Sequence, residues 1–387
     1  MPPSLCAKLK EGDSEYRSRT VTIDAHGKTV RTPKRALTLR RDYCESRVIR
    51  NRSVRGMNEV VCELNENILN GIDNDKERLL EFIRRLQAGF AHVDRDNEIS
   101  FFLFFFNSQG KRPTDSQIDY LANLVTGSPY NDIIVPPIIR GISGEDYVEY
   151  LRLFMESLET YVSNPRIMGS IPHIAHIELP DICRFYMKNN VTFFALDMDG
   201  KNPLDMFPNV NEVYRTMRLI EEKELSGEEC CYLHGINIRR PRGLVKKNFA
   251  PARDILVFEM GFNSFGSSHL KPKLKADLWQ KILASNVAWV FNRGDYGYYP
   301  TTSPDIRSIP KEVDPVFSLG EVLSSSQRNK DAKMFNVERQ GLEASTIQKC
   351  IAENELPKYL DGKLRASESL KQIRKKLSIG TRLSDVL

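Results

Sequence analysis

The stretch Ile99–Phe106, Ile-Ser-Phe-Phe-Leu-Phe-Phe-Phe, constrains this chain more than any other. It is apolar almost throughout and too short to cross a membrane, which takes roughly 20 residues. A run of this length with no polar alternation is the mark of a strand buried on both faces. Such strands belong to parallel sheets covered by helices. The rest of the chain fits that reading from about residue 60 onward. Asp75–Ala88 reads as a helix with Leu79, Phe82, Ile83 and Leu86 on one face. Gln117–Val125 is helical, Asp132–Ile139 is a second apolar run, and Gly144–Val162 repeats Tyr147, Leu151, Phe154, Leu158 and Tyr161 at helical spacing. Strands are expected at Ile167–Ile174, Val191–Leu196, Tyr232–Ile238, Asp254–Met260 and Val287–Phe291. Helices are expected at Asp181–Asn190, Asn211–Glu224 and Lys273–Ala284.

Strands that alternate with helices imply parallel βαβ units. Seven or eight strands between about residues 33 and 300 fit an α/β fold of the (β/α)8 TIM-like barrel type, with a doubly wound open sheet as the alternative. No Gly-x-Gly-x-x-Gly or P-loop follows any strand, which removes the commonest nucleotide-binding form of that alternative. Residues 1–32 read as an N-terminal arm and hairpin, with Thr20–Val30 turning at His26-Gly27. Residues 33–310 would form the barrel. Residues 311–387 would be a linker and C-terminal helices at Glu343–Asn354 and Ser367–Leu377, the stretch from Pro300 to Lys333 being rich in Ser, Pro and charge.

Bulk properties allow this. Of 387 residues 41% are hydrophobic, enough for a large core, and a charged fraction of 28% is ordinary for a folded domain. The net charge of +5 permits a nucleic-acid partner without requiring one. Seven irregularly spaced cysteines suit reduced thiols better than a disulfide framework, so a cytoplasmic protein is expected. The N-terminus carries no apolar signal-peptide core, and no membrane partner is expected.

Parallel barrels carry their chemistry at the C-terminal ends of strands. There the sharpest group is Phe193-Phe194-Ala195-Leu196-Asp197-Met198-Asp199-Gly200. An apolar strand ends in two carboxylates on alternate positions, which face one way in an extended chain and can divide into a charged nucleophile and a protonated acid. The same residues also make good turn chemistry. Further strand-end candidates are Asn107, Ser108 and Gln109, then Arg140, His173, His176, Lys201, Asn202, His234, Asn237, Glu259, Asn263 and His269, and finally Asn292, Arg293 and Asp295. His173 and His176 beside Glu178 do not match a helical ligand pair, and Cys230-Cys231 with His234 does not match structural zinc spacing, so no metal or other cofactor is expected. Tyr296, in Asp295-Tyr296-Gly297-Tyr298-Tyr299, offers an aromatic face to a base or sugar, or packs in a turn. Arg239-Arg240-Pro241-Arg242, Lys246-Lys247 and Lys371–Lys376 are basic clusters whose default is a solvated surface.

Three stretches resemble the tRNA-guanine transglycosylase superfamily. Val21–Pro33 is similar to the family's opening hairpin, with its Gly turn and Thr-Pro entering the barrel. Asp254–Phe265 ends in Gly-Phe-Asn-Ser-Phe and resembles the strand with Phe-Asp-Ser that carries the nucleophile. Phe335–Leu360 resembles the C-terminal helix. The resemblance implies base exchange in a nucleic acid, DNA or tRNA. A carboxylate attacks ribose C1′, guanine leaves, and a 7-deazaguanine, a purine-like base, enters. It also implies a homodimer or heteromer. Asn263 stands at the family's nucleophile and Asn107 at its acid–base aspartate, and the zinc cysteines are missing. The chemistry is therefore expected to run through Asp197 and Asp199, with Asn107 and Asn263 beside them. Ser108, Gln109, Gly200, His173, His234, Glu259 and Tyr296 are expected to bind substrate. A non-catalytic nucleic-acid-binding subunit and an unrelated barrel enzyme acting on a small molecule are the alternatives.

Overall fold

The computed structural model describes residues 5–40, 44–239, 248–270, 287–312 and 315–384. The expected helix Lys273–Ala284 and the basic residues 240–242 and 246–247 lie outside the described residues. The chain opens with three antiparallel strands, β1 (Cys6–Gly12), β2 (Arg19–Ala25) and β3 (Lys28–Thr32). The β2–β3 turn is the expected one. His26 and Gly27 both take positive φ, 55° and 75°, as a two-residue hairpin turn that follows strand twist demands. Next come the short strands β4 (Lys34–Arg35) and β5 (Leu37–Thr38), α1 (Glu45–Val48), and the long strand β6 (Met57–Asn65).

From β6 onward strand and helix take turns. The order is α2 (Glu66–Asp73), α3 (Lys76–Gln87), β7 (Ile99–Asn107), α4 (Asp115–Thr126), β8 (Ile138–Arg140), α5 (Gly144–Tyr161), β9 (Met168–Ile171), α6 (Leu179–Lys188), β10 (Phe193–Asp197), α7 (Phe207–Lys223) and β11 (Tyr232–Ile236). The short β12 (Ala250–Pro251) and β13 (Ser264–Phe265) follow, then the hairpin of β14 (Trp289–Asn292) and β15 (Gly297–Pro300). Four helices follow the hairpin: α8 (Leu319–Ser324), α9 (Arg328–Ala352), α10 (Leu356–Asp361) and α11 (Ser367–Ser384).

The α/β class with parallel strands holds. Two sheets are parallel throughout, in the orders β4-β13-β11-β10-β9 and β5-β6-β7-β8. Side chains sort by alternation. In β7, Ile99, Phe101, Leu103 and Phe105 join one apolar cluster with strand residues such as Met57, Val61, Met168, Phe193 and Ala195. Phe102, Phe104 and Phe106 join another, with helix residues such as Leu121, Leu151, Phe154 and Ile182. Two-sided burial is why this segment shows no polar alternation, and each fully buried Phe adds about 1.5–3 kcal/mol of transfer free energy. The N-terminal sheet feeds Ala7, Val21, Ile23, Ala25 and Val30 into the first of these clusters.

Several expected elements differ. The run Asp254–Met260 is a 3-10 helix over Ile255–Met260, with all six residues buried. A short apolar run does not separate strand from helix by period, and the strand is the next segment, β13. Val287–Phe291 corresponds to β14, which pairs antiparallel with β15 and lies outside the parallel sheets. Of Asp132–Ile139, only β8 and the isolated bridges of Ile133 and Ile134 pair. Tyr161 is 40% exposed and donates to Asp119 Oδ2 at 2.9 Å, so it leaves the buried stripe of α5. The described part of the Pro300–Lys333 stretch is structured. It holds a 3-10 turn at Pro304–Ser308, and α8 starts from a capping box between Ser318 and Glu321. α9 begins well before Glu343, because buried Glu338 and Arg339 pair within it and blur the amphipathic pattern.

Candidate active site

Asp197 closes β10 with its side chain 2% exposed. One carboxylate oxygen, Oδ1, accepts from the Asn237 amide at 2.8 Å and from the Asp199 backbone N–H at 3.0 Å. The other, Oδ2, lies 3.6 Å from the Arg140 guanidinium, which comes from β8 and stacks 4.2 Å over the Phe105 ring. Burial pushes the Asp197 carboxyl up from its ordinary value, while Asn237, the Asp199 N–H and Arg140 pull it part of the way back.

The loops after β10 and β11 hold each other. Met198 N–H donates to Ile236 O, and Gly200 N–H donates to Asn237 O. Asp199, Gly200 and Asn237 all take positive φ, at 45°, 74° and 55°. These turns aim Asp199 to the rim, where its carboxylate is 45% exposed and lies 3.7 Å from His173 Nδ1. Lys201 Nζ stands 2.9 Å from His173 Nε2. An ammonium only donates, so Nε2 accepts and the imidazole proton is on Nδ1, facing Asp199.

Below this rim is a fully buried group that the sequence reading did not single out. Glu59 of β6 accepts from His269 Nε2 at 2.7 Å and from the Ser267 N–H at 2.9 Å, and lies 3.4 Å from His234 Nε2. His234 Nδ1 is 2.6 Å from Ser264 Oγ, which also bonds to the Tyr232 hydroxyl. Burial works to raise the Glu59 carboxyl, but the charge and hydrogen bond of His269 and the nearby His234 imidazole outweigh it and hold the group well below the usual range. Asn237 joins the two groups. Its Oδ1 accepts the His269 backbone N–H at 2.9 Å, while its amide serves Asp197. Glu59 and His269 are in direct hydrogen-bond contact, which leaves no space for an ion between them. Among the described residues no three His, Cys, Asp or Glu side chains form a metal-holding group.

The other candidates fall in three places. Asn107 pairs with Arg140 in the β7–β8 register, so it ends its strand beside the site. Its side chain is exposed, and its Oδ1 accepts the Gln109 N–H at 3.1 Å. Ser108 is buried and Gln109 is exposed at positive φ. Asn263 stands at the start of β13, away from the strand ends. It is fully buried, and its Oδ1 accepts the Leu233 N–H at 2.9 Å, which ties β13 to β11. Glu259 and Tyr296 belong to a third zone. Tyr296 donates to Glu343 Oε1 at 2.7 Å against α9. Glu259 is fully buried with no partner for either carboxylate oxygen, and burial pushes its carboxyl up to about 8. The structure thus brings Asp197, Asp199, Gly200 and His173 together with Arg140 and Asn237, and keeps Asn263, Glu259 and Tyr296 apart from them.

A charged residue inside the apolar stretch of β6 (Met57–Asn65) was the available signal for Glu59. Its partners His234 and His269 stand among the strand-end candidates, but they lie far away in sequence and nothing local ties them to Glu59. No protein-family model matches the chain, and no curated protein matches it. No helix among the described residues is long and apolar enough to cross a membrane.

Proposed function

We propose that the chain is a (β/α)8 barrel that exchanges guanine in a nucleic acid, DNA or tRNA, for a 7-deazaguanine, with Asp197 as the nucleophile. The barrel reading rests on parallel pairings that run from strand to strand. The segment 34–38 pairs with β6 and β13, β6 with β7, and β7 with residues 133 and 138–140. Ile134 bridges Ile167 ahead of β9, and β9, β10, β11 and β13 then follow side by side. In such a barrel Asp197, Arg140, Asn107 and Asn237 share the functional face.

The observation that carries the reading is the asymmetry of the Asp197 carboxylate. Oδ1 is saturated by two fixed donors, and Oδ2 is left beside Arg140. A carboxylate fixed by one oxygen presents the other for attack on a sugar C1′. The ester forms as the C1′–N9 bond breaks, and the bond's electrons leave on guanine, which takes a proton. Water at the exposed rim supplies that proton, relayed by Asp199 beside His173 and Lys201. The incoming base gives up its N9 proton to the same group, bonds to C1′ and expels Asp197. The target nucleotide must be unstacked to reach this position.

The test is exchange of labelled guanine and 7-deazaguanine into tRNA and into single- and double-stranded DNA. Asp197→Asn is expected to abolish exchange and Asp199→Asn to slow it by about 100-fold or more. Full exchange in the double variant would overturn the assignment. Salt-dependent binding without exchange in the unaltered protein would favour a binding subunit instead.

A further inference from the structure

A cleft of about 670 Å³ opens where β6 and β7 begin, with Gly56 and Glu98 in its wall. The nine residues of β7 put about 26 Å between it and Asn107, at roughly 3.3 Å per residue. Five cations line the cleft, Arg31, Lys34, Arg50, Arg52 and Arg55, against two carboxylates, Asp94 and Glu98. Part of that charge is paired. Arg55 meets Glu98 Oε1 at 2.5 Å, and Glu98 Oε2 accepts the Asn58 amide at 2.8 Å. Arg31 pairs with Glu11, outside the cleft, at 2.8 Å. Asp94 accepts the Asn97 amide within its own turn at 3.0 Å. Lys34, Arg50 and Arg52 have no ion pair among the described residues.

Lys34 lies deep, at 9% exposure, while Arg50 and Arg52 are exposed. Its ammonium donates to Ser53 O, the one hydrogen bond its side chain makes among the described residues, which leaves two N–H groups unused. Burial pushes this ammonium down to about 8, and Glu98 offsets that only in part. A cation withdrawn from water without a counter-charge is costly, and an anion in the cleft relieves that cost. The surrounding backbone is fixed. Ser53 O also accepts from Ser345 Oγ of α9 at 2.8 Å, and Gln348 of α9 donates to Pro33 O at 2.6 Å. Asn51 Oδ1 accepts the Ser53 N–H at 3.0 Å and shapes the loop that carries both arginines. Gly56, at φ 128°, lies along the Lys34 stem, where a Cβ would stand 3.7 Å from Lys34 Cε.

We infer that this cleft binds the terminal phosphate or diphosphate of a small molecule, with Lys34 at its depth and Arg50 and Arg52 at its mouth. A terminal phosphate carries up to two charges and three acceptor oxygens on one end, so it reaches a recessed ammonium end-on. A backbone phosphodiester has a sugar on either side and reaches the exposed arginines but not Lys34. No aromatic side chain lines the cleft among the described residues, so a base finds no stacking platform there. The volume suits a small ligand. The site does not depend on base exchange at Asp197.

The experiment is titration calorimetry of the full chain with pyrophosphate and with inorganic phosphate, alongside the rise in melting temperature that each produces. Pyrophosphate is expected to bind the unaltered chain. Lys34→Met, similar in length and uncharged, is expected to weaken binding by about tenfold or more and to remove the melting shift. Arg50→Ala and Arg52→Ala are each expected to weaken it several-fold. Both arginines are exposed, so their double variant keeps the fold if Lys34→Met does not, and unchanged affinity in it would overturn the site. So would the absence of pyrophosphate and phosphate binding, or equal affinity with and without Lys34. A labelled 12-nucleotide single strand supplies the other arm. Binding that is the same with and without a 5′-phosphate, and that needs Arg50 and Arg52 but not Lys34, would replace the site by a surface for backbone phosphates.

Discussion

Asn237 faces Asp197 with its amide and His269 with its carbonyl. It donates to Asp197 Oδ1 at 2.8 Å and accepts the His269 backbone N–H at 2.9 Å. The second bond fixes which way the side chain is turned, so Asp197 always meets a donor. Removing it leaves a buried carboxylate and a buried N–H each one partner short. Asn237→Ala is expected to cost about 2–4 kcal/mol in urea denaturation, part of it from placing Ala at a left-handed φ. Asn237→Gly recovers the backbone share, about 1 kcal/mol, and none of the hydrogen bonding. Both variants should move the acidic limb of the exchange pH profile upward, because the lost bond is one that lowers the Asp197 carboxyl. An unmoved limb would separate Asn237 from the chemistry.

Glu259 sets an alkaline limit on stability. Burial is the main reason that its carboxyl holds a proton to about 8, against 4.5 when unfolded. Between those values the unfolded chain has released a proton that the fold retains, so stability falls as pH rises, by up to about 1.4 kcal/mol per pH unit. Glu259→Gln removes the titration. Its urea midpoint should stay level from pH 6 to pH 9 while that of the unaltered chain declines. Parallel declines would rule Glu259 out as the source.

Glu59 works in the opposite direction. Its carboxyl is held below the ordinary 4.5, so the stability it contributes is complete above that pH and drains away as pH falls further. At pH 7, Glu59→Gln is expected to cost about 3–5 kcal/mol by stranding His234 and His269. The gap to the unaltered chain should narrow in acid. A constant gap from pH 7 to pH 3 in chemical denaturation would refute the charge argument.

Gly266 is where the backbone passes closest to that carboxylate. A Cβ there would lie 1.8 Å from Glu59 Oε2. Gly266→Ala is expected to cost at least about 3 kcal/mol, since the Glu59 carboxylate is fully buried and its Oε1 is held by His269 and the Ser267 N–H. Gly12→Ala is the control, with no atom within 4 Å of the added methyl and an expected change within about 0.5 kcal/mol. Melting curves of the two variants measure the difference.

What could be read in the sequence is what local pattern encodes. The β7 run, the β2–β3 turn and the carboxylates closing β10 each announce themselves within a few residues. Glu59 did not, because its meaning comes from His269, which is 210 positions away. Asn263 is a strand-end residue only if Asp254–Met260 is the strand before it. Once that segment is a 3-10 helix, Asn263 moves to the start of β13 and its amide becomes a tie to Leu233. Long-range register, rather than composition, decided which polar groups meet.

The pairing of Lys34 with Ser264 and of Arg35 with Phe265 also has a consequence for biosynthesis. During translation β4 emerges early, yet its neighbour β13 is among the last strands to leave the ribosome. Until then the outer edge of β4 has no strand beside it, and neither does the free side of β11. Exposed edges of that kind invite wrong pairings, and contacts this distant in sequence slow folding. A nascent chain stalled before residue 264 should therefore bind chaperones, while one released past residue 265 should not.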